Sequence, residues 1–159
     1  MSVARRVYLE TSVISYLVAR PTRDLVTAAR QELTREWWER RRSTFDVYIS
    51  EVVLSEVRAG DPDAAARRVM MVRDVPLLAI TSGVTQLARA VALAIRLPKR
   101  AAADAVHIAV AAYHGIDFLL TWNSTHLTNA ELRPIAEQTC RGQGYEPPVL
   151  CTPDELMGG

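Results

Sequence analysis

A chain of 159 residues, 49% hydrophobic and 23% charged, has the composition of an ordinary globular domain and the length for a substantial core, so one domain spanning 1–159 is expected. The formal net charge of +1 neither favours nor excludes a polyanionic partner. No run approaches the roughly 18 uninterrupted apolar residues of a membrane span. Only three apolar residues separate Arg6 from Glu10, so no signal peptide is expected and a cytoplasmic location is. Cys140 and Cys151 are too few for a disulfide framework and lack partners at zinc-finger spacing, which makes them free, inert thiols. The basic residues are 18 Arg and the single Lys99. Phosphate recognition favours guanidinium, but a GC-rich genome gives the same skew with no function and is the weightier explanation.

Val7-Tyr8-Leu9 is a short apolar run that stops on Glu10. It reads as a buried strand, with Thr11 or Ser12 capping a helix to about Arg20. In an open α/β sheet ligands bind beyond the carboxyl ends of strands, so Glu10 stands where a site is expected. Pro21 ends that helix, and Thr22 and Asp24 open a longer one with Leu25, Ala29, Leu33 and Trp37 as its apolar stripe. Its basic end, Arg35 to Arg42, reads as a solvated helix terminus, with an RNA-facing patch as the sharper alternative. Asp46–Ile49 is a second strand, and Ser50 caps a helix to about Ala59 that Gly60 stops. Asp61-Pro62 starts another helix, to about Arg73. Leu77–Ile80 is a third strand, followed by a helix from Thr81 or Ser82 to about Leu97.

Pro98-Lys99-Arg100 is a basic turn before the Ala-rich helix from Ala101 to His114, which Gly115 ends. Ile116–Thr121 is the clearest buried strand, with Trp122-Asn123-Ser124 at its carboxyl end. Thr128 to about Arg141 reads as helix, with Pro134 early in it. Val149–Cys151 is a last strand before a short tail. Strands alternating with helices argue for an α/β fold, a mostly parallel sheet covered on both faces.

Three carboxylates stand in apolar surroundings: Glu10 at a strand end, Glu56 within Val52–Val57, and Asp104 within Ala101–Val106. A buried carboxylate is costly without a cation, a donor or a metal. Converging carboxylates repel unless a divalent cation neutralises them, and hard oxygen ligands suit Mg²⁺ or Mn²⁺. The bland alternatives stay open. Asp104 can occupy the solvated side of its helix, and Glu56 can pair with Arg58 or Arg100. From the residues alone the reading ends at a candidate divalent-metal site, with Asn123 adding a neutral polar group at another strand end.

Four segments carry a family resemblance. Val7-Tyr8-Leu9-Glu10-Thr11-Ser12-Val13-Ile14 resembles the opening motif of PIN-domain proteins, a strand, then Asp, then hydroxyl residues. Ile49-Ser50-Glu51-Val52-Val53-Leu54-Ser55-Glu56-Val57 resembles the second, in which a strand and Ser lead into a Glu-bearing helix. Ala103-Asp104-Ala105-Val106-His107-Ile108-Ala109 resembles the third. Leu120-Thr121-Trp122-Asn123-Ser124-Thr125-His126-Leu127 resembles the fourth, in the Trp-Asn form that some members carry. Each motif is weak alone; together, in order, they resemble the VapC-type ribonuclease toxins of toxin–antitoxin systems, over about Arg6 to Leu156.

The resemblance implies a three-layer α/β/α fold and metal-dependent hydrolysis of RNA phosphodiester bonds. It implies that Glu10, Glu56 and Asp104 hold Mg²⁺ or Mn²⁺, that Asn123 orients water or metal, and that Thr11 and Ser12 position a carboxylate or phosphate. His107 and His126 then act in proton transfer or, in the plainer reading, as packed supports. A homodimer and a small VapB-like antitoxin are implied partners, with Leu25, Leu33, Trp37 and Trp38 as candidate partner-facing positions and core packing as the plainer use of at least half of them. Arg20, Arg41 and Arg100 are candidate RNA contacts. The chain departs from the family in having Glu10 where Asp is usual. Glu reaches about 1 Å further, and a misplacement of that size costs about 10²-fold in rate. Asn123 removes a further charge. A PIN fold that only binds RNA or protein is therefore the rival reading. A nucleotide-binding domain is remote, because Glu10-Thr11-Ser12-Val13 is not a glycine-rich phosphate loop.

Overall fold

The computed structural model describes residues 3–96, 102–123 and 129–158. Its centre is β1 (Arg6–Leu9), whose Val7, Tyr8 and Leu9 are fully buried. β1 pairs in parallel with β2 (Asp46–Ser50) on one side and β4 (Phe118–Leu120) on the other. β3 (Leu77–Leu78) and β5 (Val149–Cys151) complete a five-stranded parallel sheet of order β3-β2-β1-β4-β5. Strands that are buried on both faces read as continuous apolar runs, which is why Val7–Leu9 and Phe118–Leu120 are legible as strands. The chain winds toward β3 from one side of β1 and toward β5 from the other. The crevice where the order reverses, beyond the carboxyl ends of β1 and β4, is the usual ligand position in such sheets.

Seven α-helices among the described residues flank the sheet and give a three-layer α/β/α arrangement: α1 (Thr11–Val18), α2 (Leu25–Arg40), α3 (Glu51–Val57), α4 (Pro62–Val72), α5 (Ser82–Ile95), α6 (Ala102–Tyr113) and α7 (Arg133–Gly142). α1 packs on α2 and α4, and α5 packs on α6 and α7. Several helix starts lie where the sequence puts them. The side chains of Asp24, Ser50, Asp61 and Thr81 accept hydrogen bonds from backbone amides in the first turns of α2, α3, α4 and α5. α6 ends on Gly115, whose φ of +69° lets the amide of Ile116 reach back to the Ala111 carbonyl at 2.9 Å.

Four expectations need correction. Neither Thr11 nor Ser12 caps α1; Glu10 does, and its carboxylate accepts the Ser12 amide. The buried face of α2 is Gln31, Thr34 and Trp37, whereas Leu25 is 84% exposed and Ala29 is also exposed. The polar pair is tolerated inside because it is bonded. Gln31 donates to the Arg20 carbonyl (3.0 Å), and the Thr34 hydroxyl donates to the Arg30 carbonyl (2.6 Å) and accepts the Trp122 indole N–H (2.8 Å). α7 begins only at Arg133, with Pro134 in its first turn, and 130–132 form a turn instead of helix; Thr128 lies outside the described residues, as do Lys99, Arg100 and His126. Residues 153–156 form a 3₁₀ turn where only a tail is predicted.

The basic end of α2 leads into the amino end of β2, at the opposite end of the strands from Glu10. Its cations have local partners. Arg42 lies 4.0 Å from the Trp38 ring centroid, Arg41 lies over Phe45, and Arg40 pairs with Glu36 across one helical turn. No helix among the described residues is long and apolar enough to cross a membrane.

Candidate functional site

Each candidate carboxylate is delivered by a different piece of local structure. Glu10 ends β1 and caps α1; Glu56 lies in the last turn of α3; Asp104 lies in the first turn of α6, where the helix dipole favours a negative charge. Asn123 follows β4. Two sets of hydrogen bonds, joined through the peptide between Glu10 and Thr11, hold them. The Thr11 hydroxyl donates to Glu56 Oε1 at 2.7 Å. Its neighbour Glu10 accepts Thr121 Oγ1 at 2.6 Å and the Ser12 hydroxyl on Oε1, and the Ser12 amide at 3.1 Å on Oε2. Thr121 Oγ1 accepts the Asn123 amide at 2.9 Å, and the Asn123 side chain donates to Asp104 Oδ1 at 3.1 Å. Ser12 Oγ also accepts the Trp122 amide at 2.9 Å, which ties α1 to the segment after β4.

The carboxylates are not equivalent. Glu10 is 6% exposed and both of its oxygens are engaged. The Glu56 side chain is 36% exposed, and among the described residues both its hydrogen bonds fall on Oε1. Burial alone would raise its pKa. The hydrogen bonds from His107 and from the Thr11 hydroxyl outweigh that and hold it below the ordinary carboxyl value.

Behind Glu56 lies a buried group that the sequence signals only in part. His107 is 1% exposed, with Nε2 at 2.8 Å from Glu56 Oε1 and Nδ1 at 2.6 Å from the Tyr8 hydroxyl. Tyr8 in turn lies 2.8 Å from Ser50 Oγ. Burial first, and then the charges of Glu10 and Glu56, push the Tyr8 phenol far above its ordinary pKa against the opposing Ser50 hydrogen bond. The phenol therefore keeps its proton. His107 is thus buried and packed between Tyr8 and a candidate ligand. Arg58 is not the partner of Glu56. Tyr8 and Thr121 are absent from the sequence-derived site, although a hydroxyl inside an all-apolar strand, or closing one, is the signal that finds both.

Among the described residues no three His, Cys, Asp or Glu side chains stand close enough together to hold a metal ion. The donor set nonetheless suits a hard divalent cation, because it consists of carboxylates and an amide with no thiolate. Glu56 and Asp104 are partly exposed, and among the described residues no hydrogen bond falls on Glu56 Oε2. Cys140 and Cys151 are free and buried, and burial pushes their thiols up to about 11 and about 12.

The family model of the PIN domain matches residues 7–127, which include all four motifs. No curated protein matches the chain. PIN domains form a superfamily of nucleases that generally use divalent metals, and the parallel sheet and the strand-end position of Glu10 accord with that match. This chain belongs to the PIN-domain family.

Proposed function

We propose that the chain is a divalent-metal-dependent ribonuclease that hydrolyses RNA phosphodiester bonds with Glu10, Glu56, Asp104 and Asn123. The observation that carries this reading is that two hydrogen-bonded sets, Glu56–Thr11 and Glu10–Thr121–Asn123–Asp104, meet at adjacent residues Thr11 and Glu10 at the sheet's switch point. Glu56 and Asp104 present partly exposed carboxylates to a Mg²⁺ or Mn²⁺ ion, with Glu10 as the third acidic group. When bound, such a cation supplies Lewis acidity and neutralises charge on the phosphodiester. Asn123 holds Asp104 in place through its amide, and Thr121 and Ser12 hold Glu10. The VapC-like toxin role, an antitoxin partner and a homodimer belong to the same proposal. They rest on the motif resemblance, and Leu25 and Val26, both well exposed on α2, are available to a partner.

One observation favours a second reading, a PIN fold that binds without cleaving. Glu10 is longer than the usual Asp, and its carboxylate is occupied by the cap of α1 and two hydroxyls. Calorimetric titration with Mn²⁺ separates the two. The ribonuclease reading expects saturable binding by the wild type that Asp104→Asn weakens strongly. Equal, negligible heats from both proteins would leave the binding-only reading.

A further inference from the structure

Tyr8 lies fully buried in the central strand, where Phe would pack as well. A buried hydroxyl costs stability unless it is bonded, so the two bonds it makes call for an explanation. Donor and acceptor accounting gives one. Ser50 Oγ accepts the Val53 amide at 3.3 Å as the cap of α3, so its proton is available to the Tyr8 oxygen at 2.8 Å. With a neutral ring and the Ser50 proton on the Tyr8 oxygen, the Tyr8 proton points at His107 Nδ1 at 2.6 Å and makes it an acceptor. The remaining ring proton sits on Nε2 and is donated to Glu56 Oε1 at 2.8 Å. Every proton in the row has one acceptor. The reverse neutral arrangement puts the Nε2 lone pair against a carboxylate oxygen and leaves the Ser50 proton without a partner in the row.

We propose that Tyr8 is a positioning residue that acts through His107 on Glu56: it fixes the Nε2–H tautomer, which, with Thr11, ties down Oε1 and leaves Oε2 as the atom presented to a ligand. The inference rests on the metal-site reading only for the nature of that ligand. The row couples β1, the cap of α3 and the middle of α6, so the glutamate's orientation is set by three of the four motif segments at once. Its members Tyr8, Ser50 and His107 are almost wholly inaccessible, so solvent cannot substitute for a lost bond. Outer partners that orient a metal-binding group typically change metal affinity by about 10–100-fold when removed.

The test begins with the metal-free full chain. Long-range ¹H–¹⁵N spectra, assigned against the other two histidines, are expected to show His107 Nδ1 without a proton and Nε2 with one. A proton on Nδ1 would overturn the proposal without any variant being made. Tyr8→Phe is then expected to weaken Mn²⁺ binding by about 10–100-fold and to move the Glu56 side-chain carboxyl ¹³C resonance. A purely structural tyrosine would lower the melting temperature and leave both readings in place, and that result refutes the inference. If the wild type binds no Mn²⁺, the nuclease reading fails by itself. The relay then stands or falls on whether the Glu56 carboxyl resonance moves in Tyr8→Phe.

Discussion

Thr121→Val is the most exacting perturbation of the site, because it deletes one hydroxyl and keeps the side-chain shape. Thr121 is fully buried, donates to Glu10 Oε1 at 2.6 Å and accepts the Asn123 amide at 2.9 Å. A hydrogen bond to a charged group is worth about 1.5–3 kcal/mol. The Asn123 amide is only part-buried, so water replaces some of its bond and adds at most about 1 kcal/mol. The expected loss is about 2–4 kcal/mol, or roughly 4–16 °C in melting temperature for a chain of this size. Thr121→Ser keeps both bonds and loses one methyl, for about 1 kcal/mol. Urea denaturation with an unchanged slope, alongside thermal melts, measures both. A valine variant that is as stable as wild type, or more stable than the serine variant, would refute the claim that this hydroxyl holds Glu10.

Other perturbations test separate parts of the account. A β-carbon on Gly83 would stand 2.5 Å from Tyr113 Cε2, so Gly83→Ala should destabilise by about 1–3 kcal/mol despite its helix propensity. A double-mutant cycle with Tyr113→Ala should show most of that cost disappearing. Glu56 has a lowered carboxyl pKa in the folded state, so its contribution to metal-free stability is present above about pH 4.5 and is lost as pH falls through the folded value. The melting-temperature gap between wild type and Glu56→Gln should therefore narrow below that pH, and a gap that widens in acid would contradict the bonding described for Glu56. The raised pKa values of Cys140 and Cys151 mean that a thiol reagent at neutral pH should label neither in the native chain and both after denaturation.

The sheet was largely legible because its central strands are apolar runs: Val7–Leu9, fully buried, and Phe118–Leu120 have no polar interruption to blur them. Caps were legible where a short polar side chain preceded a helix, as at Asp24, Ser50, Asp61 and Thr81. The reading failed where tertiary bonding overrode polarity. Gln31 and Thr34 are buried because the Arg20 and Arg30 carbonyls and the Trp122 indole satisfy them, while Leu25 and Ala29 face out. Glu10 was legible as a strand-end carboxylate but not as a helix cap, because its two roles fall on one side chain. The hydroxyls of Tyr8 and Thr121 stand out within or at the end of apolar runs, but which groups they bond depends on pairing β1 with β2 and β4, information that no local window contains.

The most direct measurement is cleavage of tRNA and of an unstructured RNA by the purified chain with Mn²⁺ or with chelator, beside Asp104→Asn and Glu10→Asp. The account expects cleavage that requires the metal and is lost in Asp104→Asn. Cleavage that persists in chelator or is untouched by Asp104→Asn would contradict it, as would RNA left intact by both the wild type and Glu10→Asp.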